Sequence, residues 1–240
     1  MSCRSSWGRL RVNVLDSVSA TKSETNRELA KAKTRHALLK SALQLYSVEG
    51  TCGMSMNKIA KGAGIAQPSF YNHFDSLDAL QQVLSEQLKD NYLSPIRMAW
   101  VDMLKDYPTL SKEGFKHRCQ ECLMLIFDAA FQNITLFQRL IEDSLRFDSK
   151  IERKGLGGLI TEIREEWSKI FMQGLQSAKC SFEESDVHLC VDIAAAQVHE
   201  LILGCHQQRY SRQQAIEMLC KNFDGVFSPF FTKDRLRIHG

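Results

Sequence analysis

The sequence predicts an all-α fold of about nine helices. Apolar residues recur at helical spacing nearly everywhere after Lys31, and no segment alternates apolar and polar residues as a half-buried strand would. Only 4 prolines and 13 glycines punctuate 240 residues, fewer than the many tight turns of an all-β fold would need. Hydrophobic residues at 44% and charged residues at 25% are ordinary globular values, excluding general disorder and collagen-like repeats. No run approaches the roughly 20 consecutive apolar residues of a spanning helix, and the N-terminus lacks the apolar centre of a secretory signal. The expectation is a soluble, cytoplasmic protein with no membrane partner and with its 8 cysteines reduced.

Residues 1–30 show neither period and read as a flexible basic arm. In the first helix Leu38, Ala42 and Leu45 fall one turn apart, flanked by Leu39, Leu43 and Tyr46, and Gly50 stops it. Ser55 is placed to cap a short helix carrying Ile59, Ala60 and Ala63, which Gly64 breaks. A second short helix is expected from about Gln67 to Phe74, with Pro68 in the first turn, where a missing N–H costs nothing. Ser76 caps a longer helix that turns Leu77, Leu80, Leu84 and Leu88 inward. Further amphipathic helices are expected near 96–106, 112–132, 135–147, 156–178, 186–208 and 212–227. Ser111 serves as one cap, and Ser211 with Gln214 as a capping box.

Charge is unevenly shared. Basic residues exceed acidic ones by 6 in residues 1–75, whereas the remainder carries a balance of −3, which suggests a polyanionic partner for the N-terminal third alone. The informative stretch is residues 54–74, MSMNKIAKGAGIAQPSFYNHF. Small residues at Ala60, Ala63 and Gly64 let two short helices cross steeply, with Ile65 and Phe70 in the wedge and Phe74 on the same inward side as Phe70. The opposite side offers Gln67, Ser69, Tyr71, Asn72 and His73. Short hydrogen-bonding side chains of this kind suit a helix-turn-helix reading helix that meets base edges and phosphates in a major groove. Two alternatives remain open at this level: Tyr71 packing between the third and fourth helices, and Asn72 and His73 as ordinary surface residues.

Residues 33–93 resemble the DNA-binding domain of the TetR family of bacterial transcriptional regulators. The likeness is carried by Thr34-Arg35, Ile59-Ala60, Ala63-Gly64-Ile65 and Phe70-Tyr71-Asn72-His73-Phe74. Within the family, the Ser69 to Phe74 core followed by Leu77-Asp78 and Leu80 is similar to the FabR/DesT branch, which regulates unsaturated fatty acid synthesis. The resemblance implies a helix-turn-helix domain over 31–93, with its reading unit at about 55–74, and a ligand-binding and dimerisation domain over 94–240. It implies that Gln67, Pro68, Ser69, Tyr71, Asn72 and His73 meet DNA, that Ser55 and Lys58 touch phosphate, and that Lys33 and Arg35 anchor the first helix. Two positions depart from many relatives: Leu77 stands where a phosphate-contacting lysine is frequent, and Pro68 where glycine is.

The implied partners are a double-stranded DNA operator, a second copy of the chain forming a homodimer, and a small hydrophobic effector, acyl-CoA or acyl carrier protein if the branch likeness holds. Such an effector is able either to promote or to release DNA binding. Candidate pocket residues are Trp100, Met103, Phe127, Phe131, Phe137, Trp167, Phe171 and Met172, with Arg139, Arg146 or Lys150 at the mouth; a plain core stripe is the alternative. Candidate dimer residues are Ala195, Val198, Ile202, Ile216, Leu219 and Phe223, which equally fit packing within one subunit. Cys119 and Cys122, near His117, permit a thiol- or metal-responsive alternative, but zinc needs four donors and no second pair has suitable spacing, so no metal or cofactor is expected. His188, His199 and His206 read as surface or interface groups. Asp143 adjoins Glu142, yet no nucleophile–base set can be assembled, so no enzyme is expected. A repressor of an efflux or catabolic operon with another apolar ligand stays open.

Overall fold

The computed structural model describes residues 26–106, 111–146, 155–177 and 179–231, and among these it is helical throughout, with no strand. The helices are α1 (Asn26–Gly53), α2 (Met56–Gly62), α3 (Gln67–Phe70), α4 (Leu77–Leu88), α5 (Ser94–Asp106), α6 (Lys112–Gln132), α7 (Ile134–Arg146), α8 (Leu159–Ser177), α9 (Glu184–His206) and α10 (Arg212–Phe231). A π-helical turn (Lys89–Leu93) joins α4 to α5, and a 3-10 turn (Gly155–Gly158) leads into α8.

Helix ends follow the local chemistry. Ser55, Ser76 and Ser111 each sit in extended geometry and accept the N–H of the third following residue, at 3.3, 3.0 and 3.1 Å. Ser211 and Gln214 form the reciprocal box, with the Ser211 N–H on Gln214 Oε1 at 2.9 Å and the Gln214 N–H on Ser211 Oγ at 3.2 Å. The chain kinks at Gly50, so the regular part of α1 ends where expected. Its start differs. Residues 26–30 are helical rather than part of the arm, because Arg27, Glu28, Leu29 and Ala30 are good helix formers and Glu28 favours the positive helix start. The rest of the predicted arm, residues 1–25, lies outside the described residues.

Two cores form. The N-terminal one gathers Leu38, Leu39, Ala42, Tyr46, Ile59, Phe70, Phe74, Leu80, Leu84 and Leu88, and it recruits Leu136 of α7, Leu156 and Leu159. The 3-10 turn lies directly on α4: a Cβ at Gly155 would stand 3.0 Å from Gln81 Cβ, and its φ of +66° also suits glycine. Lys89 pairs with Glu162 across the same junction. The second core joins α5, α6, α8, α9 and α10 around Trp100, Leu123, Phe171, Val198 and Leu219.

Helix α9 is long and apolar enough to cross a membrane by length and composition, but it packs against α8 and α10, with Val187, Val191, Ala194, Val198 and Ile202 in the core. The inner stripes of α9 and α10 correct the interface expectation. Val198, Ile202, Ile216, Leu219 and Phe223 are buried within one subunit, and Ala195 lines a cavity between the helices. The outer faces of α9 and α10 instead expose Leu189, Ile193 and Met218.

Candidate nucleic-acid interface and ligand cavity

The reading unit is built as a tight corner. At the end of α2, Ile65 N–H bonds to Ala60 O at 3.0 Å and Gly64 N–H to Lys61 O at 3.1 Å, the doubly bonded Schellman cap, with Gly64 at φ +73°. Ala60 is buried, and Ser41 of α1 donates to Ile59 O at 2.9 Å, pinning α2 to α1. Helix α3 is one turn only, shorter than the expected span to Phe74. Residues 71–73 continue as turns, with Asn72 N–H on Ser69 O at 3.2 Å and His73 N–H on Phe70 O at 2.9 Å. Phe70 is fully buried and meets Phe74 at 5.8 Å and Tyr71 edge-on at 6.0 Å between ring centres.

Gln67, Pro68, Tyr71 and Asn72 are exposed, and Ser69 is half-buried. Tyr71 keeps 51% of its surface open, so its ring is not buried between the third and fourth helices. His73 is half-buried, its Nδ1 has no hydrogen-bond partner among the described residues, and burial with the nearby Lys31 and Arg35 charges lowers its pKa. It is therefore neutral at physiological pH and offers hydrogen bonds rather than charge.

Lys33 is exposed on α1. Arg35 is committed inside the domain as well, since its Nη1 donates to His73 O at 2.6 Å and its guanidinium lies 4.1 Å from the Phe74 ring centre. It clamps the end of the reading turn to α1. Ser55 spends its hydroxyl on the α2 cap, and Lys58 Nζ rests 2.6 Å from Glu49 Oε2 and 3.2 Å from Gly53 O. Phosphate contact by Lys58 requires leaving Glu49, an exposed pair that costs at most about 1 kcal/mol to open. Leu77 packs against the N-terminal core.

A partly open cavity of about 200 Å³ lies among α4, α5, α6, α7, α8, α9 and α10. Of the expected pocket residues Trp100, Phe137, Trp167 and Phe171 line it. Met103 and Phe127 do not: they are buried core residues, and Met172 is partly buried against the same core. Phe131 turns away, with Arg212 stacked 3.8 Å from its ring centre. Helical spacing identifies apolar residues but not which of two neighbouring apolar stripes faces empty space. Two polar lining residues carry no signal in the sequence, Arg164 of α8 and His199 of α9. Burial and the nearby Arg164 charge push the His199 pKa down to about 4, so it is a neutral imidazole.

Arg139 is not at the mouth. It reaches back to α1, donating to Val48 O at 2.9 Å, and pairs with Glu142 at 2.8 Å. The side chain of Arg146, and Lys150 as a whole, lie outside the described residues. Beside Arg139, the buried Asp143 accepts from Thr51 N–H at 3.3 Å and Thr51 Oγ1 at 3.4 Å. The buried Tyr46 hydroxyl faces the same carboxylate, and burial together with that charge pushes its pKa well up. Thus α7 presents Leu136, Phe137 and Leu140 to the cavity while Arg139 and Asp143 grip the end of α1.

The cysteine pair behaves as core. Cys119 and Cys122 are buried; a hydrogen bond with Cys220 and burial hold the Cys119 thiol far above the thiol range, and burial pushes Cys122 up to about 12. Protonated thiols are poor nucleophiles and poor metal ligands. His117, exposed, pairs with Glu121 at 3.7 Å, while His188 and His206 are exposed.

Residues 38–82 match the family model described as bacterial regulatory proteins, tetR family. A Haemophilus influenzae protein described as an uncharacterized HTH-type transcriptional regulator is 42% identical over 55 residues, 22% of this chain and 27% of that protein. The match thus spans about a quarter of the curated relative's length. Among solved structures, a TetR family transcription regulator from Marinobacter aquaeolei VT8 superposes with a TM-score of 0.56 at 14% identity, covering 83% of this chain and 97% of its own. A candidate fatty acid metabolism regulator from Clostridium perfringens gives 0.54 at 15%, covering 80% and 98%. A tetR-family regulator from Streptomyces coelicolor gives 0.54 at 16%, covering 85% of each chain. At these identities the likeness is one of fold, and it extends over 80–85% of this chain.

Proposed function

We propose that this chain, a tetR-family regulator in its DNA-binding domain and of the tetR regulator fold as a whole, is an effector-controlled repressor that binds a palindromic operator as a cytoplasmic homodimer. It acts by binding, without catalysis. The observation that carries the reading is the double role of α7, one face in an apolar cavity and the other holding the first helix of the DNA-binding domain. A ligand that repacks the cavity wall thereby biases where the reading turn stands, and it changes operator affinity only by its differential affinity for the two arrangements.

Gln67, Ser69, Tyr71 and Asn72 form the groove-facing surface, with Asn72 and Gln67 as adenine readers and the hydroxyls on phosphate. Lys33 and a released Lys58 add phosphate contacts. The homodimer uses the outer faces of α9 and α10 around Leu189, Ile193, Ala196 and Met218, because the inner faces are spent on the core. The effector is a small hydrophobic molecule. The cavity's aromatic and aliphatic lining, the branch resemblance and the name of the Clostridium perfringens neighbour all favour one from fatty acid or lipid metabolism, of the acyl-CoA or acyl carrier protein kind.

The test is fluorescence anisotropy on the DNA upstream of the chain's own gene, with excess nonspecific competitor, with and without saturated and unsaturated acyl-CoA. Specific binding that shifts with acyl type is the expected result. Specific binding indifferent to acyl-CoA removes the lipid assignment. Failure to select any sequence from a random pool removes the regulator reading itself.

A further inference from the structure

The cavity is lined mostly by apolar side chains, with Tyr92, Asn133, Arg164 and His199 as its polar ones. Arg164 is its charged lining residue, and no Asp or Glu among the described residues lines it. Outside the cavity Arg164 Nη1 has Asp192 at 3.8 Å, a long pair whose side chains are 34% and 60% exposed and which is worth little. Its Nε is buried with no hydrogen-bond partner among the described residues. One turn further along α8, Trp167 meets Trp100 edge-on at 5.6 Å, so Arg164 and Trp100 belong to one stretch of wall. Trp100 is 4% exposed, and its indole N–H is also buried without an acceptor among the described residues. Two buried donors left unmade each carry a desolvation cost.

We propose that the cavity takes a small apolar monocarboxylate, its carboxylate on the Arg164 guanidinium, its body among Trp100, Trp167, Phe171 and Phe137, and the Trp100 N–H as a further donor along the wall. This rests on the reading of the cavity as the effector site and replaces the acyl thioester favoured above with the free acid. A carboxylate supplies the missing acceptor and neutralises the lining charge, and a guanidinium fork matches its two oxygens. An amine would place a second cation beside Arg164. An alcohol or a thioester would bring no charge to the guanidinium beyond its long pair with Asp192.

The test is isothermal titration calorimetry of the full-length protein with decanoate, decan-1-ol, decylamine and decanoyl-CoA below their aggregation limits. The variants are Arg164→Gln and Trp100→Phe, each checked for unchanged thermal unfolding. Decanoate is expected to bind about tenfold tighter than decanol, as a charge-assisted hydrogen bond to a buried donor implies. Arg164→Gln is expected to bring the decanoate-to-decanol ratio to within about twofold, and Trp100→Phe to lower it in part. Decanol or decanoyl-CoA matching decanoate on the wild-type protein overturns the carboxylate assignment while leaving the effector site standing. A preference that survives Arg164→Gln overturns it too. Binding of none of the four removes both the assignment and the effector-site reading.

Discussion

Replacing Asp143 with alanine tests the grip of α7 on the DNA-binding domain. The carboxylate is 3% exposed and accepts two hydrogen bonds from Thr51, at 3.3 and 3.4 Å, across 92 residues of sequence. Hydrogen bonds to charged groups contribute about 1.5–3 kcal/mol each, and these two are long, so the lower end applies and the pair is worth about 3 kcal/mol. Its loss also leaves the Thr51 N–H and hydroxyl without their acceptor. The control is the neighbouring Glu142→Ala, which removes an ion pair to Arg139 from a side chain 51% exposed and is expected to cost less than about 1 kcal/mol. Urea unfolding at one fixed protein concentration measures both, since a dimer's stability depends on concentration. Asp143→Asn keeps the shape and one acceptor and should fall between the two. If Asp143→Ala were no more damaging than Glu142→Ala, the junction would be held by packing alone and the electrostatic argument would be wrong.

Asn72→Ala should relax preference at one base pair of the operator, at a cost of about 1–3 kcal/mol measured on single-substituted duplexes; a uniform loss over all of them would mean it reads no base. Tyr71→Phe should weaken binding to all sequences alike, and a changed base preference would overturn its assignment to phosphate. Arg35→Ala should lower both stability and operator affinity, since the His73 O bond and the Phe74 contact position the reading turn; undiminished DNA binding by a folded variant would show that the clamp is dispensable. His199 has a folded pKa of about 4 against 6.5 unfolded, so between those values the unfolded chain binds the extra proton and stability falls as pH falls. The full effect is about 3 kcal/mol, present above pH ~6.5 and lost by pH ~4, and His199→Gln should flatten that part of the wild-type pH–stability curve.

The parts legible in the sequence are those fixed by neighbours along the chain. Ser55, Ser76, Ser111 and the Ser211–Gln214 pair are local chemistry, and each caps as read. Gly64 and the small residues before it specify the corner through backbone geometry that few other residues adopt. The exposed row of Gln67, Tyr71 and Asn72 follows from where Phe70 and Phe74 must go. What is not legible depends on which of two similar surfaces wins. Helix α9 carries apolar residues almost all round, so its sequence does not tell Val198 and Ile202, which go to the core, from Leu189 and Ile193, which stay outside. Arg35 and Lys58 read as free phosphate ligands because their internal partners, a backbone carbonyl and a glutamate, leave no pattern in the spacing. Arg164 is one of several charged residues on α8, and only its unpartnered Nε beside a cavity sets it apart.

The junction also bounds what an effector can do. Leu136 sits in the N-terminal core and lines the cavity as well, and Asp143 lies two turns further along the same helix. A ligand that shifts α7 must change both the packing of Leu136 and the grip on Thr51. If that grip is worth about 3 kcal/mol, releasing it entirely changes operator affinity by at most about a hundredfold, within the usual range of allosteric coupling. A partial release, or a ligand that tightens the grip, gives less, and the sign follows from whether the bound cavity draws α7 toward α1 or away from it. Asp143→Asn should therefore compress the effector-dependent change in operator affinity more than it changes affinity without effector. Full effector response in that variant would place the coupling route elsewhere, through the contact of the 3-10 turn with α4.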